Sequence, residues 1–184
     1  MCFIPPKSNY NPKPFPEKIM ACSYLLLGSN QGDREYYLVE ALNRIGGLAD
    51  KPVNKSAVYE TAAWGLEDQA AFLNQVVQVS TPLSPTALLT QINTIEKELG
   101  RIREIKWAAR VIDIDILYYD DLVLQTPDLI IPHPHLQERR FTLVPLVELA
   151  PDYVHPIFRT SNSNLLAACK DDLEVKIYKS NNAE

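Results

Sequence analysis

Val111-Ile112-Asp113-Ile114-Asp115-Ile116-Leu117-Tyr118-Tyr119 is the stretch on which the fold turns. It is rich in β-branched residues and alternates apolar with polar, the pattern of a strand with two unlike faces. On such a strand Ile112, Ile114 and Ile116 share one face, while Asp113 and Asp115 share the other, roughly 7 Å apart. Two carboxylates on one rigid element repel each other unless a cation joins them. Hard oxygen ligands suit Mg²⁺, which takes a few carboxylates together with substrate phosphates. Alone, the pattern also fits a half-exposed strand with a polar outer face.

Working outward, residues 86–99 place Leu88, Leu89, Ile92, Ile95 and Leu99 at helical spacing, with Gly100 as the stop. Before them, 71–80 and 55–60 read as strands. Residues 33–45 read as a helix, with Tyr37, Leu38, Ala41, Leu42 and Ile45 on one face. Residues 22–27 read as a buried strand ended by Gly28-Ser29-Asn30. The segment from Gly28 to Gly32 is expected to be a strand-to-helix turn, with a phosphate loop as the less favoured reading. After Tyr119 come a turn at Asp120-Asp121, a short strand at 122–124 and a short helix at 140–149. The order β-α-β-β-α-β defines an α+β fold: a ferredoxin-like antiparallel sheet with helices packed on one face, plus C-terminal additions.

Residues 1–19 carry Pro5, Pro6, Pro12, Pro14 and Pro16 and no apolar periodicity. They are expected to form a disordered tail ahead of a single domain over residues 20–178. Composition is ordinary for a globular chain, at 46% hydrophobic and 22% charged. The net charge of −5 gives no global field for nucleic acid or an anionic membrane. Cys2, Cys22 and Cys169 offer neither a disulfide framework nor a zinc motif. No apolar run approaches the roughly 18 residues of a membrane helix. The expectation is a cytoplasmic monomer acting on small molecules.

One local charge excess stands out. Arg101, Arg103, Lys106 and Arg110 face only Glu104, in the segment that leads directly into the aspartate strand. Arginine makes planar paired contacts to phosphate oxygens, and Trp107 among these cations offers a flat face to a heterocycle. Cations followed by paired anions point to phosphoryl transfer, in which a protein mainly positions groups and neutralises charge. There is no Walker A sequence and no GxGxxG. A ferredoxin-like nucleic-acid module would show aromatic RNA-binding motifs and a basic balance, and this chain has neither.

These features lie in a longer series: Leu27-Gly28-Ser29-Asn30, Tyr59-Glu60-Thr61 with Gly65, Phe72-Leu73-Asn74, Gly100-Arg101-Ile102-Arg103, Trp107 with Arg110, and Asp113-Ile114-Asp115. It closes with Pro132-His133, Arg139-Arg140-Phe141 and Pro145-Leu146. In this series the chain resembles the 6-hydroxymethyl-7,8-dihydropterin pyrophosphokinases over about residues 22–155. The resemblance implies diphosphate transfer from ATP to the pterin alcohol in folate biosynthesis. Asp113 and Asp115 would hold two Mg²⁺ ions, with Arg103 and Arg110 as further catalytic groups. Asn93, Glu96, Arg103, Lys106, Arg110, Ile116, His133 and Arg139 would contact ATP. Thr61, Ala62, Trp64, Phe72, Asn74, Trp107 and Phe141 would bind the pterin, with Trp107 and Phe141 sandwiching its ring. The chain departs from the family in having Lys106-Trp107-Ala108-Ala109-Arg110, without the Gly-Pro pair common there, and Ala62 where proline is frequent.

Overall fold

The computed structural model describes residues 20–62, 70–101 and 110–180. The elements in chain order are β1 (Ala21–Ser29), α1 (Arg34–Gly46), β2 (Asn54–Lys55), β3 (Tyr59–Thr61), β4 (Phe72–Thr81), α2 (Pro85–Glu98) and β5 (Asp113–Tyr119). They continue as β6 (Leu124–Gln125), β7 (Ile130–Ile131), α3 (Arg140–Leu149), α4 (Asn162–Ala168) and β8 (Val175–Ile177). The main sheet runs β5-β1-β4-β3-β8, with β2 also on β4, and every described pairing is antiparallel. That is the ferredoxin-like order with one added edge strand.

Helix boundaries follow local chemistry. Asp33 accepts from the Tyr36 amide to begin α1, and Ser84 accepts from the Ala87 amide ahead of Pro85 to begin α2. Past the end of α2, Gly100 takes a φ of +92°, a conformation open to glycine at little cost.

Strand β1 lies between β4 and β5 and is buried on both sides, which explains its near-continuous apolar run. Leu25 and Leu27 point to a core with Leu38, Ile45, Leu88 and Ile92 of α1 and α2. Tyr24 and Leu26 point the other way, to Leu136, Leu143, Leu146 and Leu165. The two helices of the β-α-β-β-α-β unit thus share one face, and the C-terminal additions cover the other.

Three local expectations change. The segment read as one strand at 55–60 is two short strands, because Ser56 bonds through its amide and hydroxyl to Val76 and Ala57 donates sideways to Glu148. The alternation of 111–119 breaks at Leu117, which is the extra residue of a β-bulge between Ile116 and Tyr118 opposite Tyr24-Leu25. Leu117 and Tyr118 therefore both enter the α3–α4 core. The short strand expected at 122–124 is Leu124–Gln125, paired with an unforeseen partner, Ile130–Ile131.

Candidate active site

Ile112, Ile114 and Ile116 are buried in the α1–α2 core, so Asp113 and Asp115 emerge together on the opposite face of β5. Strand β5 is an edge strand, and an edge amide needs a partner. Glu96 supplies it: its Oε1 accepts from the Ile114 amide at 2.9 Å, from a side chain only 2% exposed. The same carboxylate pairs with Arg101, whose Nη1 also lies 2.6 Å from Asp113 Oδ1. Arg110 pairs with the other oxygen of Asp113. Asp113 thus has two guanidinium partners, and Asp115 has neither.

Asp115 instead faces His133, whose Nε2 is 3.8 Å from Asp115 Oδ2, beyond hydrogen-bond range. Burial and the neighbouring Asp113 push the Asp115 carboxyl up to about 7, with Arg139 opposing. Burial and Arg139 hold His133 down to about 4. A neutral ring also fits the His135 amide, which donates to His133 Nδ1 at 3.2 Å and leaves the proton on Nε2, facing Asp115. Arg139 is lowered by burial and raised by Asp115 and Asp113.

A pH dependence follows. In the folded chain Asp115 keeps its proton up to about 7, whereas in the unfolded chain it loses it near 3.9. Its contribution to stability is therefore complete below about 3.9 and lost as pH rises through about 7. His133 acts oppositely between about 4 and 6.5, where the unfolded chain binds the extra proton, so stability falls there as pH falls. The Asp115 effect is thus cleanest above pH 6.5. Thermal melts should show Mg²⁺ raising the melting temperature more at pH 8 than at pH 6. Equal shifts at both values would contradict the carboxylate reading.

The sheet register sets the other half of the site. Asp113 pairs with Gly28, Gly28 with Asn74, and Asn74 with Tyr59, so these four residues form a row on one face. Asn74 is 2% exposed and donates from Nδ2 to Thr61 Oγ1 at 2.9 Å, which leaves its Oδ1 over Gly28. A Cβ on Gly28 would sit 3.2 Å from Asn74 Oδ1 and 3.8 Å from Phe72 Cδ1. The backbones of Asn74 and Asp113 are two strand spacings apart, roughly 10 Å, and the absence of a side chain on Gly28 lets Asn74 and Phe72 lie over it. Half-buried Phe141 packs near this face, with the Arg139 guanidinium 5.8 Å from its ring centroid. Gly28→Ala should crowd Asn74 and raise the KM of a substrate bound against this row about tenfold, from overpacking of about 1.4 kcal/mol, while the KM of a substrate bound elsewhere stays within about twofold. Steady-state kinetics with each substrate varied will check this; unchanged KM values would show that the row is not used.

Other expected residues are dispersed. Asn93 lies one turn before Glu96 on α2, and Ala62 is exposed at the end of β3. The Ile116 side chain faces the α1–α2 core, so only its backbone is on offer. Trp64, Arg103, Lys106 and Trp107 lie outside the described residues.

Three sets of contacts were not readable in the sequence. Arg101, expected as one of four phosphate-gripping cations, joins Glu96 to Asp113. Asn30, expected in a strand-to-helix turn, has its backbone amide donating to the Arg110 carbonyl and its Oδ1 accepting from the Arg110 amide at 2.7 Å. Arg34, which the sequence reading passed over, donates to Glu60 and to the Ala71 carbonyl, both at 2.8 Å, and so ties β3 to the start of β4.

The paired carboxylates fit a divalent cation. Both present hard oxygen donors on one face. Among the described residues no three His, Cys, Asp or Glu side chains gather into a complete metal site. Nor is any described helix long and apolar enough to cross a membrane.

Fold and site together define a ferredoxin-like α+β protein with an acidic pair, one member held by two arginines, beside a row of buried polar residues on one sheet face. The profile of the 7,8-dihydro-6-hydroxymethylpterin-pyrophosphokinase family matches residues 24–151, and the chain belongs to that family. It is 47% identical to the 2-amino-4-hydroxy-6-hydroxymethyldihydropteridine pyrophosphokinase of Aquifex aeolicus over 141 residues, which cover 76% of this chain and 87% of that one. With the Bacillus subtilis protein of the same description it shares 47% over 128 residues, covering 69% and 77%. A solved Plasmodium falciparum HPPK-DHPS chain with pteroate superposes with a TM-score of 0.66 at 17% identity, covering 82% of this chain and 42% of that one. That likeness concerns the fold, and this chain spans less than half of the solved one.

Proposed function

We infer that the chain transfers diphosphate from ATP to 6-hydroxymethyl-7,8-dihydropterin in folate synthesis, giving AMP and the pterin diphosphate. The observation that carries the residue assignment is the row from Asp113 across Gly28 to Asn74. It sets a carboxylate and a buried amide on either side of the side-chain-free Gly28. The pterin lies against that row, its polar edge at Asn74 and Thr61 and its ring against Phe72 and Phe141. Its hydroxymethyl group then reaches toward Asp113 and Asp115.

Asp113 and Asp115 would hold Mg²⁺, which would supply charge neutralisation for the transferring and leaving groups. Arg101 and Arg110 are held beside the phosphate position by Asp113, and a phosphate offers them the same kind of anionic oxygen pair. Neutral His133 presents its Nε2 proton to a phosphate oxygen from the far side, with Arg139 next to it. The hydroxymethyl oxygen attacks the β-phosphorus. The new bond joins that oxygen to phosphorus, the bond from the β-phosphorus to the oxygen shared with the α-phosphate breaks, and AMP leaves with the pair of electrons. The hydroxyl proton is lost to solvent. With Asp113 and Asp115 given to the metal, no described His or carboxylate is an obvious general base, so the residues act by positioning and charge.

We further place the reaction in the cytoplasm, in a monomer. The described Cys22 and Cys169 are free thiols, as expected of a reducing compartment. Protein freed of metal with EDTA should form AMP only when Mg²⁺, ATP and the pterin are all restored. ADP as the product, or AMP without the pterin, would sink the proposal.

A further inference from the structure

Helix α3 begins without a local cap. Its N-cap residue, Arg139, is extended at φ −115° and ψ 105°, and no side chain nearby accepts from the first turn. The missing acceptor comes from 31 residues downstream: Asp171 Oδ2 accepts from the Arg140 amide at 2.8 Å. The other oxygen, Oδ1, accepts from the Leu173 amide at 3.1 Å, which fixes the carboxylate against its own segment. An anion is favoured at this end of a helix. The bonded amide belongs to the residue between Arg139 and Phe141, so the carboxylate holds the frame from which both side chains project. A few residues on, the same segment becomes β8, which pairs with Tyr59, Glu60 and Thr61 of β3. Beyond it, Tyr178 and Ser180 both donate to Glu35 at the start of α1. Asp171, Leu173, β8, Tyr178 and Ser180 all lie outside the 24–151 matched by the family profile. One C-terminal strap thus contacts both α3, at Arg140, and β3, at Thr61.

We propose that Asp171 is a positioning residue for the reaction, setting Phe141 and Arg139 in place through the Arg140 amide. It touches no substrate. The proposal rests on the assignment of Phe141 to the pterin and Arg139 to the phosphates, so the test carries those two variants as references. Steady-state kinetics and thermal melts should be run on the whole chain with Asp171→Ala, Asp171→Asn, Phe141→Ala and Arg139→Lys. A fifth variant, Ser84→Ala, removes the cap of α2 at the helix end about 17 Å from Glu96.

Asp171→Ala should raise the pterin KM about tenfold, a factor of the order that one lost cap allows. Asp171→Asn keeps an oxygen for the Arg140 amide and should show about threefold. Ser84→Ala should lower the melting temperature by a similar amount and leave both KM values unchanged. Should Asp171→Ala fail to fold, the threefold rise in Asp171→Asn carries the test. If Phe141→Ala and Arg139→Lys impair the reaction while neither Asp171 variant moves a KM, the strap is only structural and the proposal is overturned. If Phe141→Ala and Arg139→Lys change nothing, the underlying site assignment fails first and the proposal with it.

Discussion

Asp115→Asn will lower turnover on the order of 10³-fold, and without metal at pH 8 it will raise the melting temperature. The two effects share one origin. Asp115 is crowded by Asp113 and partly withdrawn from water, and it holds its proton up to about 7. Removing its charge relieves the folded protein, and the relief should shrink at pH 6, where the carboxyl is largely protonated already. On the proposed assignment the same change removes a metal ligand, a loss of several kcal/mol of charge neutralisation in catalysis. Asp113→Asn should lose activity similarly but shift stability the opposite way, because it strips the shared anion from Arg101 and Arg110. Melts of both variants against pH will check the contrast. Loss of stability in both would mean that the pair is an ordinary part of the fold.

Arg110→Ala should lower kcat about 10²- to 10³-fold while changing the pterin KM by less than about threefold. Its guanidinium pairs with Asp113, and its backbone is clamped by Asn30 through two hydrogen bonds. The clamp survives the substitution, so the chain path should persist while the charge disappears. Removing a group that binds mainly as charge builds up on the phosphates lowers kcat and kcat/KM together. Single-turnover and steady-state rates with each substrate varied will show this. A rise in pterin KM with kcat intact would instead place Arg110 on the pterin side.

Much of this site was legible in residues 111–119, because alternation on a strand fixes which side chains share a face. The isoleucines and aspartates did separate as the pattern required. The element order was readable for a related reason, since the helix and strand periods differ. The bulge at Leu117 was not readable, because it arises from the pairing with β1 and leaves no mark in one strand's own sequence. Glu96 illustrates another limit. Its place on α2 beside the site was expected, yet its bonds to the Ile114 amide and Arg101 depend on how the helix docks on the sheet edge. Asp171 lies further still from any pattern, since a helix cap supplied from 31 residues away has no periodicity to reveal it. The second face of the sheet was likewise hidden. The sequence reading stopped at the 140–149 helix, and α4 and β8 are too short to stand out by periodicity.

The central claim is that the chain moves an intact diphosphate to the pterin by attack at the β-phosphorus, and one labelling measurement addresses it directly. ATP carrying one label at the α-phosphate and a different label at the β-phosphate should be supplied with Mg²⁺ and the pterin, and the products separated. The account predicts the β-label wholly in the pterin product and the α-label wholly in AMP, with neither transferred by Asp115→Asn beyond a trace. A β-label that stays with the nucleotide, as ADP, would contradict it, as would full transfer by the variant.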